Sequence, residues 1–134
     1  EGHLIANELA REGARVITGP CLGDRSKPEL ANMSLETPVL LAMAGVKIAI
    51  CTDHPETPVQ YLPLCAAMAV KGGMNPEAAL AAITINPAQI AGIDNRVGSL
   101  TPGKDGDVVV MSGHPLNWLS RVSAVVVDGR RVTE

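Results

Sequence analysis

The sequence predicts an α/β fold that closes with a small antiparallel β unit. Three observations carry that expectation. Segments with apolar residues at helical spacing alternate with short β-branched runs, the order that a parallel α/β sheet requires. The 134 residues are 46% apolar and 19% charged, which supplies the length and the material for a packed core. Beyond about residue 96 the texture changes to glycine-rich turns, valine runs and one hairpin signal.

The elements follow in order. Leu4, Ile5, Leu9 and Ala10 share one helical face, and Gly13 can close that helix. Residues 14–18 read as a strand centred on Val16 and Ile17 and stopped by Gly19-Pro20. A charged loop over 21–34 carries Asp24, Arg25, Lys27 and Glu29. A helix over 36–44 ends at Gly45. Residues 46–51 are apolar and largely β-branched, the mark of a strand buried on both faces, and they run into Thr52-Asp53-His54-Pro55. A long apolar helix is expected over 59–70, with Gly72-Gly73 as its stop. Asn75 is placed to cap, and Pro76 to open, a helix over 76–83. Asn86-Pro87 repeats the device and opens a short helix ending at Gly92. Residues 97–104 are turn-rich and 108–111 form a strand, while 122–127 and 131–133 flank the hairpin signal Asp128-Gly129. The expected division is 1–95 for the α/β part and 96–134 for the β part.

Composition excludes several classes. The chain is no disordered tail and no collagen-like repeat. With one Trp, one Tyr and no Phe, aliphatic side chains must build the interior. That argues against a β-sandwich and against an aromatic platform for nucleic acid. A net charge of −3 gives no electrostatic reason to expect nucleic acid or an anionic membrane as partner. No run of about 18 apolar residues is present, so no membrane span is expected. No basic segment precedes an apolar run, so no signal peptide is expected. Cys21, Cys51 and Cys65 are odd in number and lack CxxC spacing; they read as reduced, structural thiols of a cytoplasmic protein.

Asp53 is the foremost candidate for chemistry. It follows a buried strand, where a parallel sheet or barrel presents its active site. A carboxylate there can bind a metal or take a proton from water. Asp is also common in turns, so position alone leaves a structural role open. His54 lies at the same rim, and Arg25 and Lys27 follow the other strand, where they are candidates for a polar or anionic substrate group. A solvated loop is the alternative for those two cations. His3 and His114 have no partner at ligand spacing and read as surface or packing residues.

Thr52-Asp53-His54-Pro55 is followed by Ala79-Leu80, Thr84-Ile85-Asn86-Pro87-Ala88, Gly92-Ile93, Gly98-Ser99-Leu100 and Pro102-Gly103-Lys104-Asp105-Gly106-Asp107. This ordered set resembles the C-terminal portion of the amidohydrolase superfamily of metal-dependent hydrolases, nearest its imidazolonepropionase-like branch. Gly19-Pro20 and Ser26-Lys27-Pro28-Glu29-Leu30 fit the same branch. One departure is Gly106, where the family usually has Ala. The resemblance implies a (β/α)8 barrel with a small β-sandwich made from both chain ends. Residues 14–19 would then match barrel strand seven, 46–53 strand eight, and 96–134 the C-terminal share of the sandwich.

The resemblance also implies a reaction. Water activated by a divalent metal, with zinc expected, attacks a non-peptide C–N bond of a small cyclic amide or related substrate. Asp53 is the metal ligand or general base, and His54 belongs to the substrate pocket. The family's other ligands, on strands one, four, five and six, have no counterpart here; the strand-six His would fall just before Glu1. The chain therefore reads as the last part of a longer enzyme. One carboxylate cannot hold a catalytic ion, so the isolated chain is expected to be inactive and to bind no metal tightly. Two strands cannot close a barrel, and their open edges are expected to drive self-association. The alternative is a non-catalytic α/β packing or oligomerisation module.

Overall fold

The computed structural model describes residues 1–132. A 3-10 turn over Gly2–Ile5 leads into α1 (Ala6–Arg11). Then come β1 (Arg15–Thr18), α2 (Thr37–Met43) and β2 (Lys47–Ile50). Three helices follow: α3 (Leu62–Lys71), α4 (Pro76–Ala81) and α5 (Ile85–Ala91). The chain closes with β3 (Val108–Met111), β4 (Val122–Val127) and β5 (Arg130–Val132). β1 and β2 pair in parallel, from Arg15 opposite Lys47 to Thr18 opposite Ile50. β3, β4 and β5 form a separate antiparallel sheet in that order.

The core is aliphatic, as the scarcity of aromatics requires. Val39 and Leu41 of α2, Val46, Ile48 and Ile50 at β2, and Cys65, Ala66, Ala69 and Ala79 of α3 and α4 belong to one buried cluster. Ala66, Ala69, Ala79 and Ala82 are fully buried. Methyl-sized side chains at these positions let α3 and α4 pack closely without aromatic filler. Ile48, Ala49 and Ile50 are all buried, so β2 is covered on both faces as its composition predicts.

The structure changes several boundaries, each for a local reason. The helix expected over 59–70 begins as a 3-10 turn, Val59–Tyr61, and becomes α-helical only at Leu62. Pro63 has no N–H for an i−4 carbonyl, so α-helical bonding cannot extend upstream through it. The charged loop contains one 3-10 turn, Pro28–Leu30. Asn75 does cap α4, its Oδ1 accepting from the Glu77 and Ala78 amides. Asn86 does not repeat that role: α5 starts two residues earlier than Pro87, at Ile85, and Asn86 Nδ2 donates instead to the Ile48 carbonyl at 3.0 Å. Asp128 and Gly129 have φ of 50° and 71°, which makes the β4–β5 connection a type I′ turn. The hairpin strand expected over 131–133 includes Thr133, which lies outside the described residues.

The edges of the parallel pair differ from expectation. The outer edge of β2 is not bare: the Ile50 amide donates to the Ala82 carbonyl at 2.9 Å, beside the Asn86 bond to Ile48. The segment between α4 and α5 thus occupies the place of a neighbouring strand, a common way of blunting an edge. Among the described residues no strand pairs with the outer edge of β1, and its Ile17 is 62% exposed.

The segment between β3 and β4 packs against the rest of the molecule. Leu116 packs on the core, and Tyr61 and Trp118 stand 6.2 Å apart beside it. The connecting segment is fixed by Arg96, which pairs with Asp105 at 2.6 Å. No helix of the described residues is long and apolar enough to cross a membrane.

Candidate functional site at the carboxyl ends of the parallel strands

β1 and β2 run in the same direction, so both release the chain at one end of the sheet. Their ends are held close together. The Cys51 amide donates to the Thr18 carbonyl at 2.9 Å, extending the pairing by one step. Gly19, with φ of 154°, lies against Cys51, and a methyl group there would run into the Cys51 carbonyl oxygen. Glycine is therefore required by contact as well as by conformation.

Beyond Cys51 the chain makes a closed turn. The Glu56 amide donates to the Asp53 carbonyl at 2.9 Å, and the Thr57 amide to the Thr52 carbonyl at 3.2 Å. Thr52 is 6% exposed and Thr57 4%, so both feet of the turn are anchored in the protein. Asp53 sits between them in the left-handed region, at φ of 52°. Asp tolerates this conformation better than most residues. The result is an exposed carboxylate on a fixed base. Among the described residues, neither the Asp53 carboxylate nor the His54 ring has a hydrogen-bond partner.

The loop after β1 is held by its own polar groups. Arg25 Nη2 donates to the Met33 carbonyl at 2.8 Å, and the Ser26 amide to Asp24 Oδ1 at 3.0 Å. Lys27 is exposed just before the 3-10 turn. Glu1 accepts twice from Asn32, from its backbone amide at 2.7 Å and its side-chain Nδ2 at 3.0 Å. The Asn32 side chain first, and its amide second, hold the Glu1 carboxyl below the usual glutamate range. His3 Nδ1 lies 3.1 Å from Thr37 Oγ1 at the start of α2. A cavity of about 80 Å³ lies between these parts, bordered by Glu1, His3, Gly19, Glu29 and Thr37. A wider hollow of about 520 Å³ is bordered by Asp24, Arg25, Glu36 and Lys71.

The two loops adjoin, since a methyl group on Gly23 would lie 4.0 Å from Glu56 Oε1. Yet neither hollow is lined by Asp53 or His54. The structure thus sets the four sequence candidates on neighbouring loops without bringing Asp53 into contact with Arg25 or Lys27. Sequence reasoning missed Glu1 and the hydrogen bond of His3. Their partners lie 31 and 34 residues away, and no local pattern announces such pairs. His114 is exposed, as a surface residue is, and in addition its Nδ1 accepts from the Leu116 amide at 3.2 Å.

The three cysteines are free thiols. Burial pushes Cys21 up to about 11 and raises Cys65 as well, so both stay protonated at neutral pH. Among the described residues, no three His, Cys, Asp or Glu side chains are grouped to hold a metal ion. Asp53 has the hard oxygen chemistry of one ligand to a divalent ion and supplies that donor alone.

Comparison with known proteins follows the same lines. Residues 5–132 match the family described as the amidohydrolase family. Over 72 residues the chain is 44% identical to imidazolonepropionase from Geobacillus kaustophilus, covering 52% of this chain and 17% of that enzyme. Over 69 residues it is 47% identical to adenine deaminase 2 from Bradyrhizobium diazoefficiens, covering 52% of this chain and 11% of that protein. The crystal structure of an amidohydrolase from Thermotoga maritima superposes with a TM-score of 0.95 at 41% identity. That match takes in 99% of this chain and 35% of the Thermotoga chain, so the 134 residues span about a third of that relative.

Proposed function

Because the chain belongs to the amidohydrolase family, we propose that it forms the C-terminal part of an enzyme that hydrolyses a non-peptide C–N bond in a small molecule. In this reading β1 and β2 are strands seven and eight of a (β/α)8 barrel within residues 1–95. Residues 96–134 are the C-terminal share of a small β-sandwich. The substrate is a cyclic amide or a related ring, for which an imidazolone and adenine are the natural probes given the relatives' names. The three free thiols suit a reducing, cytoplasmic setting.

The observation that carries this reading is the placement of Asp53. Its carboxylate stands at the end of a buried strand, on a turn anchored at both feet, with no protein partner among the described residues. That leaves its oxygens available to reactants. A divalent metal, zinc in the first instance, would when bound polarise the scissile group and acidify water. Asp53 is the ligand this chain offers to that ion and the base for the water. It takes a proton from the water as the oxygen attacks the ring carbon. It returns the proton to the nitrogen as the C–N bond breaks. His54, Arg25 and Lys27 contribute polar contacts to the substrate from the same rim.

The test is Asp53→Asn in the full-length enzyme, assayed with adenine and with an imidazolone. The expected result is a fall in kcat of about 10²-fold or more, the usual scale for losing a general base, with Tm unchanged. Wild-type turnover by that variant overturns the assignment. The isolated 134 residues, with one ligand, are expected to turn over neither probe; stoichiometric zinc together with turnover would overturn that expectation.

A further inference from the structure

A loop that binds substrate must be ordered before the substrate arrives, or its ordering lowers affinity. The loop after β1 is long and polar, and it has few buried apolar anchors of its own. What fixes it comes from far away in the chain. Asn32, near the end of the loop, is gripped by both oxygens of Glu1 at 2.7 and 3.0 Å. Five residues on, Thr37 meets His3 at 3.1 Å. Glu1 precedes the 3-10 turn Gly2–Ile5 and His3 lies within it; the turn packs against α2, so the two grips act as one clasp. Glu1 and His3 border the cavity of about 80 Å³ together with Thr18 and Gly19 at the end of β1, and Asp53 is not among its lining residues. Within the loop, Arg25 is tied to Met33 at 2.8 Å, one residue from the gripped Asn32. A shift of Asn32 therefore passes directly to Arg25.

We infer that Glu1 and His3 are positioning residues: by clasping Asn32 and Thr37 they hold the loop that carries Arg25 and Lys27, and so set substrate affinity without touching substrate. This deepens the function proposed above and rests on it. A carboxylate suits the grip on Asn32 because it accepts two N–H bonds at once, each stronger than its neutral counterpart.

The experiment uses Glu1→Gln, Asn32→Ala, Thr37→Val and Thr37→Ser in the full-length enzyme. Amide exchange is followed by mass spectrometry over residues 22–34, with the β2 and α3 peptides as internal reference. The expected result for the first three variants is loop exchange faster by about tenfold, the scale set by losing one charge-assisted hydrogen bond, with reference peptides unchanged. Kinetics with the imidazolone or adenine probe should show KM raised several-fold and kcat moved far less. Thr37→Ser, which returns the hydroxyl, should restore both readouts. Loop exchange unchanged in the three variants overturns the inference, and so does a loosened loop with wild-type KM. Because Asp53→Asn tests the underlying reading separately, failure of the clasp and failure of the active-site assignment are distinguishable.

Discussion

The two ends of the β1–β2 pair are built on opposite rules. At the amino end, side chains do the fastening. Arg15 donates to the Gln89 carbonyl at 3.0 Å, near the C-terminus of α5, where a cation is favoured. Lys47 donates to the Gln89 side chain at 2.6 Å, and Asn86 ties α5 to Ile48. At the carboxyl end, the backbone does the fastening. Gly19 packs against the Cys51 carbonyl, and the 52–57 turn is closed by two main-chain bonds. Asp53 and His54 are left facing outward. Polar side chains used to hold the sheet are not free for chemistry; a backbone that holds itself releases them. The same pair of strands thus has one end fastened by side chains and one end whose polar side chains are left open, the division that a parallel α/β barrel makes between stability and its active site.

That contrast can be broken experimentally, and the largest effect is expected at Gly19. Gly19→Ala forces a methyl group against the Cys51 carbonyl and strains φ, which should cost roughly 2–4 kcal/mol in urea unfolding. A neutral substitution there would show that the strand ends are not rigidly joined. Asn86→Ala comes next. It leaves the part-buried Ile48 carbonyl without its donor and should lower stability by about 1–2 kcal/mol, with no effect on the Asp53 turn. A change in Asp53 chemistry without a change in stability would contradict the separation. Lys47→Met is smaller, about 0.5 kcal/mol or less, because this bond is exposed.

The smallest effect is local and pH-dependent. The folded Glu1 carboxyl titrates below its unfolded value because Asn32 bonds to the charged form. A depressed carboxylate stabilises the fold above its unfolded pKa and loses that contribution as pH falls through the folded pKa. Protection of the loop over 22–34, taken relative to intrinsic amide exchange at each pH, should therefore fall in the acid range below the usual glutamate value and stay flat from there to neutrality. Glu1→Gln should abolish the acid dependence. A variant that keeps it would place the titration elsewhere.

The outer edge of β1 offers a further contrast with β2. Its exposed Ile17 leads to the prediction that the isolated chain associates through this edge, whereas the edge of β2 is covered. Light scattering should show self-association that Ile17→Lys reduces. A compact monomer with a single cooperative melt would count against an adhesive edge.

Much of this architecture was legible in the residues. The β-branched run before Cys51, the Asn75-Pro76 start and Asp128-Gly129 are local signals with local causes, and each appears where its pattern placed it. Asn86-Pro87 shows the limit of such reading. It carries the same signature as Asn75-Pro76, yet Asn86 faces a strand with an open carbonyl, and that tertiary partner outcompetes the cap. The edge cover of β2 was illegible for the same reason. It depends on where Ala82 falls after two helices have packed, which no window of sequence contains.

The candidate site divides in the same way. Sequence alone determined its chemistry: an Asp and a His after a buried strand, and two cations after its parallel neighbour. Sequence also determined the interior, because with almost no aromatics only close packing of alanines and branched aliphatics can exclude water. Only the tertiary structure decided which side chains stay free. Arg25 is drawn to Met33 and Glu1 to Asn32, while Asp53 is left open by a turn that satisfies itself through its backbone. The physical reason is that hydrogen bonds form between groups brought together in space, and 31 residues separate Glu1 from the loop it holds.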